Sequence, residues 1–246
     1  MSVRVNFVGS GDAFGTGGRF NTCIMVDGAG VRFTIDFGGT SLVALNAQGI
    51  HHNTIDAILL THIHSDHSSG VPIMMMDAML GAKRDRPLTI AGPKNLKARL
   101  EETREVLFPG SSVMEPKFPV TYVELPVQET SEFLGLKVTP YAAKHTWQTD
   151  PTALRVEVGG KVVTYSGDGD WTPDLAKASK GADLFIAECY FYEKPVKWHL
   201  NYPSIRQHKD EFGAKRMILT HFGPEMLAMA DRVPEETAYD GLIVDL

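Results

Sequence analysis

Cysteine is scarce in this chain of 246 residues: there are only Cys23 and Cys189, far apart in the sequence. Two distant cysteines do not make the disulfide framework of a small secreted protein, so we expect a cytoplasmic location. No uninterrupted apolar run approaches the length of a membrane span, and the N-terminus lacks the basic and apolar segments of a signal peptide. We therefore predict no membrane contact.

Positive charge is also in short supply, with 24 basic against 30 acidic side chains, a net charge of −6 and an isoelectric point of about 5.8. A long polyanion such as tRNA or duplex DNA is normally met by a basic surface, so this balance argues against such a substrate. The hydrophobic fraction of 43% is enough for one large core. We predict a single domain over residues 1–246.

A histidine-rich segment, 61–67, follows the apolar run 55–60, which indicates a buried strand. A loop at the C-terminal end of a strand is where α/β proteins tend to place their sites. Nitrogen and oxygen ligands suit zinc or a similar divalent ion, and four of them this close together indicate two ions. The alternative is a solvated loop that happens to be rich in histidine. The candidate ligands are His62, His64, Asp66 and His67.

The pattern H-x-H-x-D-H after an apolar strand resembles the signature of the metallo-β-lactamase superfamily. The order of strands and helices alone predicts only a mixed α and β fold; the resemblance implies an α+β fold, an αββα four-layer sandwich. It also implies three further ligands in a fixed order, and His145, Asp168 and His221 follow, each at the end of a predicted strand. Asp170 competes with Asp168, which we prefer because it directly follows Ser-Gly.

The superfamily's ligand pattern, carried over to these positions, implies a centre with two zinc ions, for which manganese or iron are alternatives. His64 argues against the di-iron redox branch, which has a carboxylate at that position. The resemblance implies that His62, His64 and His145 hold one ion, that Asp66, His67 and His221 hold the other, and that Asp168 bridges them together with the attacking hydroxide. Asp66 is counted among the catalytic residues as well.

Several stretches resemble the ribonuclease Z branch, including residues 7–14, 36–40 (D-F-G-G-T, where the branch usually has C-G-E-G-T) and 186–189 with the later His199. The resemblance implies that His199 protonates the leaving oxygen and that Glu188 orients it. The alternative interpretation is that His199 is a structural histidine in a loop, with its hydrogen bonds satisfied there. Leu200 and the residue after it also depart from the branch's Ser-Thr.

The basic arm with which that branch grips tRNA would lie between His145 and Asp168. Only about twenty residues separate them, and the predicted hairpin over 155–165, with Gly-Gly at its turn, fills much of that length. We therefore do not expect tRNA to be the substrate. The resemblance to this branch, which is commonly dimeric, implies a homodimer.

We predict a dinuclear zinc-dependent hydrolase, a phosphodiesterase acting on a small anionic ester through a metal-bridging hydroxide. Phosphodiesters come first because an acid such as His199 favours poor alkoxide leaving groups. The alternatives are a lactone, β-lactam or aryl-sulfate hydrolase, and a ribonuclease Z-like RNA endonuclease. Two non-catalytic functions are the remaining alternatives: a metal-stabilised binding module and a nucleic-acid binder with a local basic groove.

Smaller features give further predictions. Trp147 and Trp171 flank two ligands and either line an apolar pocket or pack in the core; Phe14 and Phe20 are weaker candidates for the pocket. Lys144 is a candidate anion contact. We predict surface positions for His51, His52 and His208, core positions for the methionines of 74–79, a helix over 93–107 with Pro93 in its first turn, and strands over 120–125 and 134–139.

Overall fold

Two mixed sheets of seven strands each are present in residues 2–194 and 196–246, which the computed structural model describes. The first sheet has the spatial order β14 (Ile243–Asp245), β1 (Arg4–Gly9), β2 (Cys23–Gly28), β3 (Val31–Ile35), β4 (Ala57–Leu59), β5 (Leu88–Gly92), β6 (Val120–Glu124). The second has the order β13 (Glu236–Thr237), β12 (Met217–Thr220), β11 (Leu184–Glu188), β10 (Lys161–Tyr165), β9 (Thr152–Val158), β8 (Leu136–Ala142), β7 (Ser131–Phe133).

In each sheet, the strands of one half pair antiparallel and the strands of the other half pair in parallel. In the first sheet β3 to β6 pair in parallel, and in the second β10 to β13 do. The helices of the described chain are α1 (Ser41–Ala47), α2 (Ser65–Ser68), α3 (Gly70–Leu80), α4 (Leu96–Leu107), α5 (Pro173–Ser179), α6 (Tyr202–Gln207), α7 (Lys209–Phe212) and α8 (Pro224–Met229).

Three buried apolar clusters show how the sheets and helices pack into layers. One draws on both sheets, with Phe7 and Phe33 from the first and Leu154 and Tyr165 from the second, so the sheets pack face to face. A second joins the other side of the first sheet to α1, α3 and α4, and a third joins the second sheet to α5, α6, α7 and α8. The predicted α+β fold with four αββα layers is confirmed.

Local chemistry explains several elements. Gly159 and Gly160 form the β9–β10 turn with φ of 57° and 78°, a conformation that favours glycine, and the predicted hairpin is present. Met74 and Met75 are buried against the first sheet, as predicted.

None of the helices in the described ranges combines the length and apolarity that a membrane span requires.

Three local predictions were wrong. The helix predicted from 93 begins at Leu96, because Asn95 takes a left-handed φ of 60° and ends the preceding turn, so Pro93 lies outside it. The strand predicted over 134–139 begins at Leu136, since 134–135 form a hairpin turn with positive φ. His52 is buried rather than exposed, and its Nε2 lies 2.8 Å from Asp77 Oδ2.

The fold places the predicted site residues at the C-terminal ends of strands. His62 follows β4, His145 follows β8, Asp168 follows β10, Glu188 ends β11 and His221 follows β12. Both sheets therefore contribute side chains to one place. Because these strands are far apart in sequence, only the packing of the two sheets can assemble the site.

Candidate metal centre

Three imidazoles converge at the first part of the site. His62 and His64 lie on the loop between β4 and α2, and His145 follows β8. His64 Nδ1 lies 3.1 Å from His62 Nε2 and 3.0 Å from His145 Nε2. These three nitrogens are all potential metal ligands within reach of one ion.

The outer nitrogens of two of these rings fix their tautomers. The Thr61 hydroxyl donates to Asp36 Oδ2 at 2.8 Å, so at 3.0 Å it can only accept from His62 Nδ1–H. His145 Nδ1–H donates to the Trp198 carbonyl at 2.7 Å. Both Nε2 atoms therefore turn a lone pair toward His64, and a single proton on His64 Nδ1 could satisfy only one of them. A cation held by all three nitrogens would satisfy the whole set.

The second part of the site gathers two carboxylates and two imidazoles. His67 Nε2 lies 3.1 Å from Asp66 Oδ2 and 3.3 Å from Asp168 Oδ1, and His221 Nε2 lies 3.4 Å from Asp168 Oδ2. All four side chains are buried. His67 Nε2 and Asp168 Oδ1 are buried without any hydrogen-bond partner, a costly state that a bound cation would relieve.

The donor chemistry of the site fits divalent metal ions. Burial lowers the pKa of His62 well below its usual value and also lowers the pKa of His64 and His145, so these imidazoles are neutral and keep their lone pairs free. Burial also lowers the pKa of His67, but the charges of Asp168, Asp66 and Asp36 outweigh it and raise the pKa well above the usual value. A metal ion would replace the proton that these carboxylates otherwise hold on His67.

Asp36 supports the site from outside, and sequence reasoning assigned it no role. Its fully buried carboxylate accepts from His67 Nδ1 at 2.6 Å, from the Thr61 backbone N–H at 2.8 Å and from the Thr61 hydroxyl. It thereby orients His67 directly and His62 through Thr61, as carboxylates beside metal-binding histidines do. Thr22 Oγ1 lies 3.1 Å from His221 Nδ1 and was missed in the same way. The D-F-G-G-T segment after β3 was the available signal for Asp36.

A second carboxylate–imidazole pair lies beside the ligand cluster. Glu188 Oε1 accepts from His199 Nδ1, while its Oε2 accepts from the Gly169 N–H at 2.9 Å. Glu188 is fully buried, whereas the His199 side chain is 24% exposed. His199 Nδ1 lies 3.9 Å from Asp168 Oδ2, and the ring is also close enough to join His145 and Asp168 around an ion. The predicted pair is therefore assembled at the site.

A cavity of about 470 Å³ opens over this cluster. Its lining combines polar residues of the site and its surroundings with apolar and aromatic side chains. The first group is His64, Ser65, Asp66, His145, Thr146, Asp168, His199 and His221; the second is Ala13, Phe14, Tyr190, Phe191, Val196 and Trp198.

Several of the smaller predictions have different outcomes. Phe14 lines the cavity, but Phe20, Trp147 and Trp171 do not. Lys144 Nζ forms an ion pair with Asp170 Oδ2 at 2.9 Å, and neither residue belongs to the groups of possible metal ligands. Trp171 stacks on His208 with ring centroids 3.9 Å apart, and His208 is half-buried rather than exposed as predicted.

A known family matches nearly the whole chain: the model of the anti-Pycsar protein Apyc1 covers residues 3–242. The chain belongs to the Apyc1 family.

The chain is also similar to a curated protein and to two solved structures. Ribonuclease Z of Agathobacter rectalis is 27% identical over 269 residues, covering 88% of this chain and 86% of that protein. The metallo-β-lactamase fold protein YhfI of Bacillus subtilis superposes with a TM-score of 0.78 at 19% identity over 100% of both chains. The short form of human tRNase Z superposes with a TM-score of 0.79 at 21% identity over 98% of both chains. The expected metallo-β-lactamase fold and ribonuclease Z-like branch are confirmed.

Proposed function

We propose that this Apyc1-family chain is a hydrolase that uses two metal ions to cleave a small anionic phosphodiester. The observation that carries the proposal is the position of His199 and Glu188 directly beside two adjoining ligand groups. The first group is His62, His64 and His145; the second is Asp66, His67, Asp168 and His221.

Each ligand group would hold one ion, with zinc the best match to this nitrogen and oxygen set and manganese or iron as alternatives. When bound, such ions lower the pKa of water and neutralise charge that develops on the ester oxygens. The protein fixes the ligands in advance through the contacts of Asp36, Thr61 and Thr22. Asp168 belongs to the second group and also lies within ligand distance of His145 from the first group, which suits a carboxylate shared between two ions.

His199 would supply the proton that an alkoxide leaving group needs. Burial alone lowers the pKa of His199, but the Glu188 carboxylate and then Asp168 raise it to about 9, so the ring carries a proton at neutral pH. Glu188 accepts at Nδ1 and leaves the other nitrogen of the ring for the substrate. An alkoxide is a poor leaving group unless an acid protonates it, so this pair favours phosphodiesters of alcohols over lactones, β-lactams and aryl sulfates.

RNA cleavage is the second candidate, because the chain is similar to ribonuclease Z over most of its length. Two observations support a small ester over tRNA. The chain between His145 and Asp168 forms a short turn followed by the β9–β10 hairpin, which leaves no long arm there. The cavity-lining residues among those described include no lysine or arginine. The homodimer implied by the ribonuclease Z resemblance stays a prediction.

Hydrolysis of two diesters by protein of measured metal content tests the proposal. Bis(p-nitrophenyl) phosphate releases a stable phenolate, whereas thymidylyl-thymidine must expel an alkoxide. We expect wild-type turnover of both, and in His199→Ala roughly a 100-fold or larger loss for the alkoxide but a much smaller loss for the phenolate. His208→Ala is the matched control, because His208 pairs with Glu211 outside the site. Equal losses for both diesters, or loss of metal in His199→Ala, would contradict the acid role.

A further inference from the structure

His221 lies just outside a strand and takes an uncommon backbone conformation. β12 ends at Thr220, so the ladder of the second sheet does not fix this candidate ligand. Its φ of 61° falls in the left-handed region, which a residue other than glycine keeps only where the surrounding structure holds it there. The orientation of His221 therefore depends on contacts from outside β12.

Those contacts come from the glycine-rich loop, which we define as residues 9–18. The Ser10 carbonyl accepts from the His221 N–H at 3.1 Å. The Thr22 hydroxyl donates to the Gly11 carbonyl at 3.3 Å, so at 3.1 Å it accepts from His221 Nδ1–H. The loop thus holds the backbone of His221 directly and its ring by way of Thr22, which leaves Nε2 for the metal centre.

Asp240 holds this loop in turn, although it lies near the other end of the chain, between β13 and β14. Its Oδ1 accepts from the N–H and from the hydroxyl of Ser10, each at 2.8 Å. Its Oδ2 accepts from the Phe20 N–H at 2.9 Å, and the Phe20 carbonyl accepts from the Gly11 N–H at 2.7 Å. One carboxylate therefore fixes the loop at two points.

Ser10 links Asp240 to the candidate ligand. It is fully buried, with both of its donors on Asp240 and its carbonyl on His221. Without the Asp240 carboxylate, two buried donors would lose their acceptor, which is costly and favours a shift of Ser10. Such a shift would move the carbonyl that fixes His221.

We infer that Asp240 is a positioning residue for the metal centre, holding His221 through Ser10 in the orientation that the second ligand group requires. This inference rests on the metal centre of the proposed function and is independent of the substrate. Among the described residues, Asp240 belongs neither to the ligand groups nor to the lining of the cavity. A residue that only closed the connection between β13 and β14 would not distinguish one ligand group from the other.

Titration of metal-free protein with zinc tests this role when the histidines are labelled with nitrogen-15. The imidazole signals of His62 and His221 then report one ligand group each in nuclear magnetic resonance spectra. In Asp240→Ala we expect zinc to bind about 3–10-fold more weakly at the group of His221, less than the 10–100-fold typical of a direct partner of a ligand. The affinity at the group of His62 should change much less. Asp240→Asn keeps one acceptor oxygen and should restore part of the loss.

Glu105→Ala is the matched control. Like Asp240, Glu105 accepts from two backbone N–H groups, that of Gly110 at 2.7 Å and that of Ser112 at 2.8 Å, but it lies outside both ligand groups. Its loss should lower the thermal stability of the protein and leave both zinc affinities at their wild-type values.

Ser10→Ala tests the route of the effect, since it removes the hydroxyl that donates to Asp240. Alone it should weaken zinc binding at the group of His221 less than Asp240→Ala does. In the double variant the two losses should not add, because residues in contact act along one path.

The outcomes separate this inference from the proposed function. An Asp240→Ala protein that loses stability as the control does but keeps both zinc affinities, or loses both equally, would overturn the positioning role alone. Additive losses in the double variant would overturn the route through Ser10. Zinc binding at neither group of the wild-type protein would overturn the metal centre of the proposed function and this inference with it.

Discussion

Replacing Asp36 by Asn tests whether the ligands are held in place from outside the metal centre. The amide keeps the shape of the carboxylate and tolerates the left-handed φ of 60° found at this position, so the backbone is not newly strained. The negative charge that accepts from His67 Nδ1 at 2.6 Å is lost, and the amide nitrogen must face one of the donors of His67 or Thr61.

Two independent magnitudes agree for this substitution. A hydrogen bond to a charged group contributes about 1.5–3 kcal/mol. Loss of a carboxylate behind a metal-binding histidine typically costs 10–100-fold in metal affinity, which is about 1.4–2.7 kcal/mol. We therefore expect zinc to bind 10–100-fold more weakly at the group that contains His67. The effect on the other group should be smaller, since Asp36 reaches His62 only through Thr61.

Competition with a chromophoric zinc chelator measures both affinities in one titration. Asp77→Asn is the matched control, because Asp77 forms a carboxylate–imidazole pair with buried His52 outside the ligand cluster. Its thermal stability should fall without a change in zinc affinity. If Asp36→Asn loses stability as the control does but keeps both zinc affinities, then Asp36 supports only the fold and the reasoning is refuted.

Three further predictions concern stability and catalysis. Zinc at 100 times its Kd stabilises a folded protein by about 2.7 kcal/mol, so adding zinc to metal-free protein should raise Tm by roughly 5–10 °C in a thermal scan, and an unchanged Tm would contradict a built metal site. Glu188→Gln removes the charge that raises the pKa of His199, so kcat for thymidylyl-thymidine should fall roughly 10-fold or more, with little change for bis(p-nitrophenyl) phosphate. Gly38→Ala would place a Cβ 2.0 Å from the Asp66 carbonyl oxygen, so a urea melt should show a loss of about 1–3 kcal/mol or more together with a lower zinc content; a wild-type melt would refute the close approach.

The resemblance to the metallo-β-lactamase superfamily implied the order of the candidate ligands, and the ends of strands with a visible apolar pattern located them. His62, His145, Asp168 and His221 all lie at such strand ends, and the structure brings them together. The choice of Asp168 over Asp170 matches the geometry, since Asp170 pairs with Lys144. Glu188 and His199 came from the resemblance to ribonuclease Z, and no local pattern would have paired them.

The supporting contacts were not predictable because their partners are distant in sequence and carry no motif of their own. Asp36 reaches His67 only after β3 and β4 pair, and Asp77 reaches His52 through the packing of α3. Trp198 was missed for a different reason: its role depends on a positive φ and a backbone carbonyl, neither of which the residue type reveals. Helix α4 begins late because Asn95 adopts a conformation that composition does not specify.

The most direct test of the account adds zinc stepwise to metal-free protein and follows the turnover of bis(p-nitrophenyl) phosphate. Two adjoining ligand groups, each able to hold one ion, predict that activity rises until two equivalents are bound and then stays constant. Activity that is complete at one equivalent would contradict the two-metal arrangement. Two bound equivalents without any turnover would contradict the phosphodiesterase itself.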